Sequence, residues 1–367
     1  MFEALEEVKC IANFSFALSI LKALRAKIEA NYGITNRIGR SFQSGFKGVL
    51  GIGPSGGGKS TTLRTIFYGL ELHLYGHDGK PLGKWIPSGI STGVGLFELL
   101  VKYANSVIVI DELDANTALH INILKQIASG MISRLRSRQV EPVPFTGVLL
   151  GATNGISFKK ALMDHLIAML ERFTVVYIDA HKNVDLTKVR VGGKINWEII
   201  RDALVSKCDY DLNEEELDLV KDLFGAKKRE CLDPAKPLFR QENDVHDIVL
   251  FIKRFCQVKN IIEYRVLVEV IEKLVNDTVH CNPAKFFNFD PLERTIYNFI
   301  DNSDSHYRHF VDICDQCRQA GVFTSERAVM RILNKMVLAR LLNKYGDIYS
   351  TRILTEQERQ SSLSGIL

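Results

Sequence analysis

The stretch Gly53-Pro54-Ser55-Gly56-Gly57-Gly58-Lys59-Ser60 fits the spacing G-x-x-x-x-G-K-[ST], and each residue type in it has a use at a chain of phosphates. Glycines without a Cβ let the backbone take positive φ and turn its N–H groups inward around an anion. Lys59 would place an ammonium at the β- and γ-phosphates, and the Ser60 hydroxyl would ligate Mg²⁺. Thr61 opens a helix whose N-terminal partial charge falls at the same place. The flanks agree, because Phe46 to Ile52 reads as a buried strand and Thr61 to Leu72 as a helix. Strand, glycine loop and helix follow in the order that a phosphate-binding loop requires. The expectation is ATP with Mg²⁺, held along Gly53 to Thr61.

A second set of chemical groups lies downstream. Val107, Ile108, Val109 and Ile110 run into Asp111 and Glu112, as in a central parallel strand with acidic residues at its C-terminal end. There Asp111 would hold Mg²⁺ through water, and Glu112 would polarise an attacking water. Gly147 to Ala152 forms another buried strand closing on Thr153-Asn154. Asn154 could hydrogen-bond the γ-phosphate or the water, although asparagine at a strand end is also a common turn former. Arg172 stands just before a further strand, Thr174 to Asp179, where an arginine can reach into a neighbouring subunit's active site. Taken alone it is an ordinary surface arginine.

Together these segments resemble the AAA+ ATPases, with Walker A at 53 to 60, Walker B at Asp111 and Glu112, sensor 1 at Asn154 and an arginine finger at Arg172. The resemblance covers about residues 40 to 280. Within that family, AMLERFTVVYID at 168 to 179 is similar to the "LLSRFD" segment of minichromosome-maintenance (MCM) helicases, with Glu171 in place of Ser and Thr174 in place of Asp. The basic run Arg134, Arg136 and Arg138 falls where those helicases carry a DNA-contacting β-hairpin. GATN at 151 to 154 and Arg172-Phe173 also resemble RuvB-type branch-migration motors. The resemblance implies a homo-oligomeric ring, hexameric in the family's usual form, with DNA as partner. It also implies a sensor 2 arginine in a helical lid, for which Arg265 is one candidate and Arg254 another.

These groups need a scaffold, and the rest of the chain supplies one. The fold class expected is α/β: a P-loop AAA+ three-layer parallel sheet core with an α-helical lid, followed by a C-terminal winged helix-turn-helix domain. Residues 1–36 read as a single amphipathic helix with apolar positions at helical spacing (Ile11, Phe14, Leu18, Leu21). The nucleotide-binding domain then spans 37–194 and the lid 195–288, with helices near 196–208, 213–230, 243–257 and 260–280. The winged-helix domain covers 289–356, with helices at 292–300, 310–320 and 325–336 and a hairpin at 338–344 and 349–354. On its third helix Arg327, Arg331 and Lys335 would face DNA phosphates, with Lys344 and Arg352 on the wing. A polar, frayed tail is expected for 357–367.

Composition narrows the function classes. With 46% hydrophobic and 25% charged residues the chain of 367 is ordinary for a globular protein. Its net charge of +4 is slight, so a nucleic-acid surface must come from local clusters. Seven scattered cysteines argue against a disulfide framework and for a reducing, cytoplasmic setting, and Cys314-Asp-Gln-Cys317 alone has ligand-like spacing. The apolar stretch from Ile11 to Leu24 is too short to cross a bilayer and contains Asn13 and Lys22, so no membrane partner is expected. The leading reading is a DNA-dependent ATPase motor of replicative-helicase type. The alternatives are an ATP-switched DNA-binding initiator or loader and a MoxR-like protein-remodelling ATPase.

Overall fold

The computed structural model describes residues 2–31, 48–74, 82–86, 93–113, 123–124, 126–127, 130–132, 142–158, 173–179, 195–208, 210–225, 241–279 and 283–364. Their centre is a five-stranded sheet built from β1 (Gly48–Ile52), β2 (Gly83–Ile86), β3 (Val107–Ile110), β6 (Val148–Thr153) and β8 (Thr174–Tyr177), in the order β2-β3-β6-β1-β8. Every pairing in it is parallel. Runs such as Val-Ile-Val-Ile suit this position because the sheet is covered on both faces, so no residue of β3 meets water. The register sets Ile110 beside Gly151 and Ile52 beside Thr153, which aligns the C-terminal ends of β3, β6 and β1 on one edge. That edge carries the expected chemistry.

Side-chain alternation divides the sheet between two cores. Ile108, Ile110 and Leu149 face a core shared with α4 (Gly93–Lys102) and with the C-terminal helices, through Ile296, Ile313 and Leu333. Val107, Val109 and Val148 face the opposite core, shared with the N-terminal helices and the lid. The short strands β4 (Met131–Ile132) and β5 (Val143–Pro144) pair antiparallel beside the first core.

The N-terminal segment is two helices instead of the single one expected: α1 (Glu3–Lys9) and α2 (Phe14–Asn31). The break at residues 10–13 has a cause, since Ile11 is buried there and the Asn13 side chain is drawn into hydrogen bonds with the glycine loop. Behind it α2 lies between sheet and lid. Its Phe16 ring covers β1 so closely that a Cβ on Gly51 would come within 2.7 Å of it. Further along, the buried Arg25 donates to Glu29 (2.8 Å) and to the carbonyls of Ala203 (2.7 Å) and Ser206 (3.1 Å). A charge buried this deeply has to be paired, and here the pairing joins α2 to the lid.

The segment expected to form the lid contains α5 (Trp197–Val205), α6 (Glu214–Gly225), α7 (Gln241–Phe255) and α8 (Arg265–Asp277). Asn213 and Glu216 cap α6 reciprocally, and Glu216 also takes the buried Lys253 ammonium at 2.6 Å. After the lid, the chain makes a 3₁₀ turn (Pro283–Phe286) into β9 (Phe287–Asn288), which pairs parallel with β7 (Ile156–Ser157) just past Asn154.

The C-terminal unit contains α9 (Pro291–Asp301), α10 (Phe310–Gln319) and α11 (Glu326–Leu338), capped in turn by an Asp290/Glu293 box and by Ser325 on the first and last. Strands β10 (Tyr307–His309), β11 (Asn343–Tyr345) and β12 (Ile348–Ser350) form an antiparallel sheet in the order β10-β12-β11. The hairpin is shorter than its apolar run suggested and turns at Gly346 with φ 62°. The tail forms a helix, α12 (Glu356–Ser364), where a frayed end was expected. Glu358 explains its order by accepting from Thr355 N at 2.8 Å and from Arg352 Nη1 at 3.1 Å.

Cys314 and Cys317 lie side by side on the buried face of α10. Desolvation pushes both thiols up, Cys317 to about 11, and among the described residues no cluster of three His, Cys, Asp or Glu could hold a metal ion. Both side chains are part of the core packed around α10. No described helix is long and apolar enough to cross a membrane.

Candidate functional site

The site begins where β1 ends. Gly53 must be glycine, because a Cβ there would lie 2.0 Å from the backbone oxygen of Ile178 on the neighbouring segment. Gly56 and Gly58 take φ of 81° and 75°, the left-handed region that glycine adopts at no steric cost. Gly58 is then the N-cap of α3 (Lys59–Gly69) and offers no side chain to the helix's first N–H groups. Those donors stay available for an anion, at the positive end of the helix.

Lys59 is buried and donates to the carbonyls of its own loop, Gly53 (2.7 Å) and Pro54 (2.6 Å). Burial pushes its ammonium below the usual lysine range, and the carboxylates of Asp111 and Glu112 work against that shift. The loop therefore holds a desolvated cation on weak neutral acceptors. An oxyanion would satisfy it better.

From the neighbouring strand, Asp111 accepts the Ser60 hydroxyl at 2.6 Å on Oδ1 and faces Arg64 Nη2 at 3.5 Å on Oδ2. Glu112 is exposed at the tip of β3 with φ 57°, and the chain is returned to the sheet by Leu113 N donating to Ala152 O at 2.6 Å. Asn154 is exposed at the end of β6. One cleft of about 210 Å³ gathers these groups, with Ser55, Gly56, Gly58, Lys59, Ser60 and Thr61 on one side and Asp111, Glu112 and Asn154 on the other.

The donor set fits a nucleotide with Mg²⁺. Ser60 and Asp111 present two hard oxygens 2.6 Å apart, and no larger protein cage is needed, because magnesium keeps phosphate oxygens and waters as its remaining ligands. Residues 49–177 match the AAA family model, described as ATPase family associated with various cellular activities. The match supports an AAA+ ATPase. No curated protein matches the chain. The matched AAA segment runs from β1 to β8 and contains every residue lining the cleft.

Other expected site residues fall elsewhere. Arg265 opens α8 with its side chain exposed and paired to Glu269 at 3.0 Å, and it does not line the cleft. Arg254 is buried, donating to Tyr210 O (2.9 Å) and facing Glu29 (3.5 Å), so it ties the lid to α2. Arg134, Arg136, Arg138 and Arg172 lie outside the described residues.

On the C-terminal unit Arg327 and Arg331 are exposed on α11. Lys335 departs from expectation: it turns toward the AAA segment, donates to Phe158 O and stands 4.8 Å from that ring's centroid. The last turn of α11 faces a neighbour where helical periodicity alone suggested solvent. Arg352 is also committed, to Glu358, while Lys344 stays exposed over Tyr349.

Two residues near the cleft were not singled out from the sequence as site residues. Arg64 lies over the Trp85 ring at 5.6 Å and approaches Asp111. Asn13 reaches the loop from outside. Its sequence signal was an amide interrupting an apolar run, which spacing alone does not connect to residues 57–62.

Proposed function

We propose that this protein is an ATP-hydrolysing AAA+ motor that acts on DNA as a homo-oligomeric, hexameric ring, of replicative-helicase or related translocase type. The observation that carries the ATPase part is the convergence of Lys59, Ser60, Asp111, Glu112 and Asn154 on one cleft at the C-terminal edge of a parallel sheet. Lys59 moves from its loop carbonyls to the β- and γ-phosphates of ATP, and the α3 N-terminus with Gly56 and Gly58 holds the phosphate oxygens. Ser60 and Asp111 hold Mg²⁺, which when bound offsets charge on the phosphates. Glu112 polarises the attacking water, and Asn154 orients it or the γ-phosphate. Arg172 acts in trans from a neighbouring subunit, and Arg265, as sensor 2, needs a lid movement to arrive.

The DNA part rests on charge and element order. Arg327 and Arg331 are exposed on the third helix of a unit whose order, α9-β10-α10-α11-β11-β12, is compatible with a winged helix-turn-helix. Arg134, Arg136 and Arg138 are proposed to line the ring's channel. The functional units follow the boundaries 1–36, 37–194, 195–288, 289–356 and 357–367, and the setting is cytoplasmic. The commitment of Lys335 and Arg352 to internal partners favours a second reading, a MoxR-like protein-remodelling ATPase whose C-terminal unit contacts protein.

Steady-state ATPase rates with and without single-stranded and duplex DNA, at two salt concentrations, separate the two. Stimulation that weakens with salt supports the DNA motor. A rate indifferent to every DNA overturns it in favour of remodelling.

A further inference from the structure

We propose that Asn13 is a positioning residue for the phosphate loop, holding the Gly57–Gly58 peptide from behind so that its N–H faces the cleft. The inference rests on the reading of that loop as a triphosphate site, and it concerns a residue outside the matched AAA segment.

The geometry is direct. Asn13 Nδ2 donates to Gly57 O at 2.9 Å and to Thr62 Oγ1 at 3.1 Å. A trans peptide is planar, with its C=O and N–H on opposite sides, and the described chain has no cis bond. Anchoring the Gly57 carbonyl on Asn13 therefore sends the Gly58 N–H the other way. Gly58 lines the cleft and Gly57 is buried behind it, as this orientation requires. Thr62 completes the tie by donating to Gly58 O at 3.1 Å, so both peptides flanking the left-handed Gly58 are fixed. Glycines confer freedom on the loop, and without an outside acceptor or donor that freedom lowers the population of the binding geometry.

The anchor is itself held firmly. Next to Asn13, Ser15 donates to Asp277 of the lid at 2.6 Å and Phe16 covers Gly51 of β1. A short stretch at the start of α2 thus meets loop, lid and strand. A carboxamide suits the position because it can donate both hydrogens to neutral oxygens without adding charge beside a polyanion.

The test is equilibrium binding of Mg·ATP and of inorganic tripolyphosphate to the full chain, with kcat and KM for ATP, in wild type, Asn13→Asp, Asn13→Ala and Ser15→Ala. Asp is close in size to Asn and, ionised, can no longer donate. We expect both ligands to weaken together by about fivefold to tenfold in the alanine variant and by more in the aspartate variant, which faces Gly57 O with a charge. KM should rise while kcat holds, and Ser15→Ala, which loosens the same helix start without touching the loop, should keep both affinities. The inference is overturned by unchanged affinities in Asn13→Asp, by a loss for ATP without an equal loss for tripolyphosphate, or by an equal loss in Ser15→Ala. A folded wild type that binds neither ligand overturns the nucleotide reading itself.

Discussion

The ammonium of Lys335, in the last turn of α11, donates to the backbone carbonyl of Phe158, the residue that follows β7. The same ring packs edge-on against Phe287 (5.3 Å) and Phe289 (5.1 Å), so a C-terminal cation and the entry to the C-terminal unit meet one AAA-segment residue. Lys335→Met keeps the apolar stem and removes the donor. It should cost about 1.5–3 kcal/mol in urea unfolding, the range for a hydrogen bond to a charged group. Arg331→Ala, on an exposed position of the same helix, should stay within about 0.5 kcal/mol of wild type. Equal stability of both variants would show that Lys335 is a surface cation after all.

Glu112 and Lys59 separate hydrolysis from binding. Glu112→Gln should retain ATP affinity while kcat falls by about a hundredfold or more, as expected for loss of a group that activates water. Its backbone at φ 57° is no harder for Gln than for Glu, so the change is chemical and not conformational. Lys59→Ala should bind no ATP measurably. Calorimetric titration beside a phosphate-release assay checks both, and unaltered turnover in Glu112→Gln would remove that residue from the mechanism.

The parts of this site readable from sequence are those specified locally. Four buried apolar residues ending in Asp111-Glu112, or glycines preceding Lys59, carry their geometry in their own backbone needs, and they lie where expected on β3 and at α3. What was not readable depends on contacts between distant segments. Periodicity marked the polar side of α11, yet it could not tell that Phe158 covers the position of Lys335. It joined residues 1–36 into one helix because nothing local announces that Asn13 is pulled toward Gly57. Arg254 and Arg265 were indistinguishable as lid arginines until burial separated them, one inside a charge network and one exposed.

The ion pair between Arg352 and Glu358 gives the tail a pH signature. Hydrogen bonds from Arg352 and from Thr355 hold the Glu358 carboxyl down at about 2, against an ordinary value of 4.5. A carboxylate depressed on folding stabilises the folded state above its unfolded pKa, and that contribution is lost as pH falls toward the folded one. The stability difference between wild type and Glu358→Gln should therefore be constant above about pH 4.5 and shrink steadily toward pH 2. The pair is partly exposed, so the plateau should not exceed roughly 1 kcal/mol. Denaturant titrations across this range check it, and a difference that grows on acidification would contradict the pairing.

Gly155 joins the cleft to the C-terminal unit and tolerates no side chain. Its φ is 106°, and a Cβ there would lie 2.6 Å from Oδ1 of Asn288, whose amide donates to Asn154 O at 3.4 Å. Gly155→Ala thus imposes backbone strain of about 1–3 kcal/mol and displaces the contact beside Asn154. We expect lower stability together with a reduced kcat, because Asn154 is one residue from the strain. Pairing it with Asn288→Gly removes the steric clash and leaves the dihedral cost, so the double variant should recover part of the stability lost in Gly155→Ala. Full recovery would mean that the clash alone was responsible, and a kcat that ignores Gly155→Ala would separate Asn154 from the chemistry.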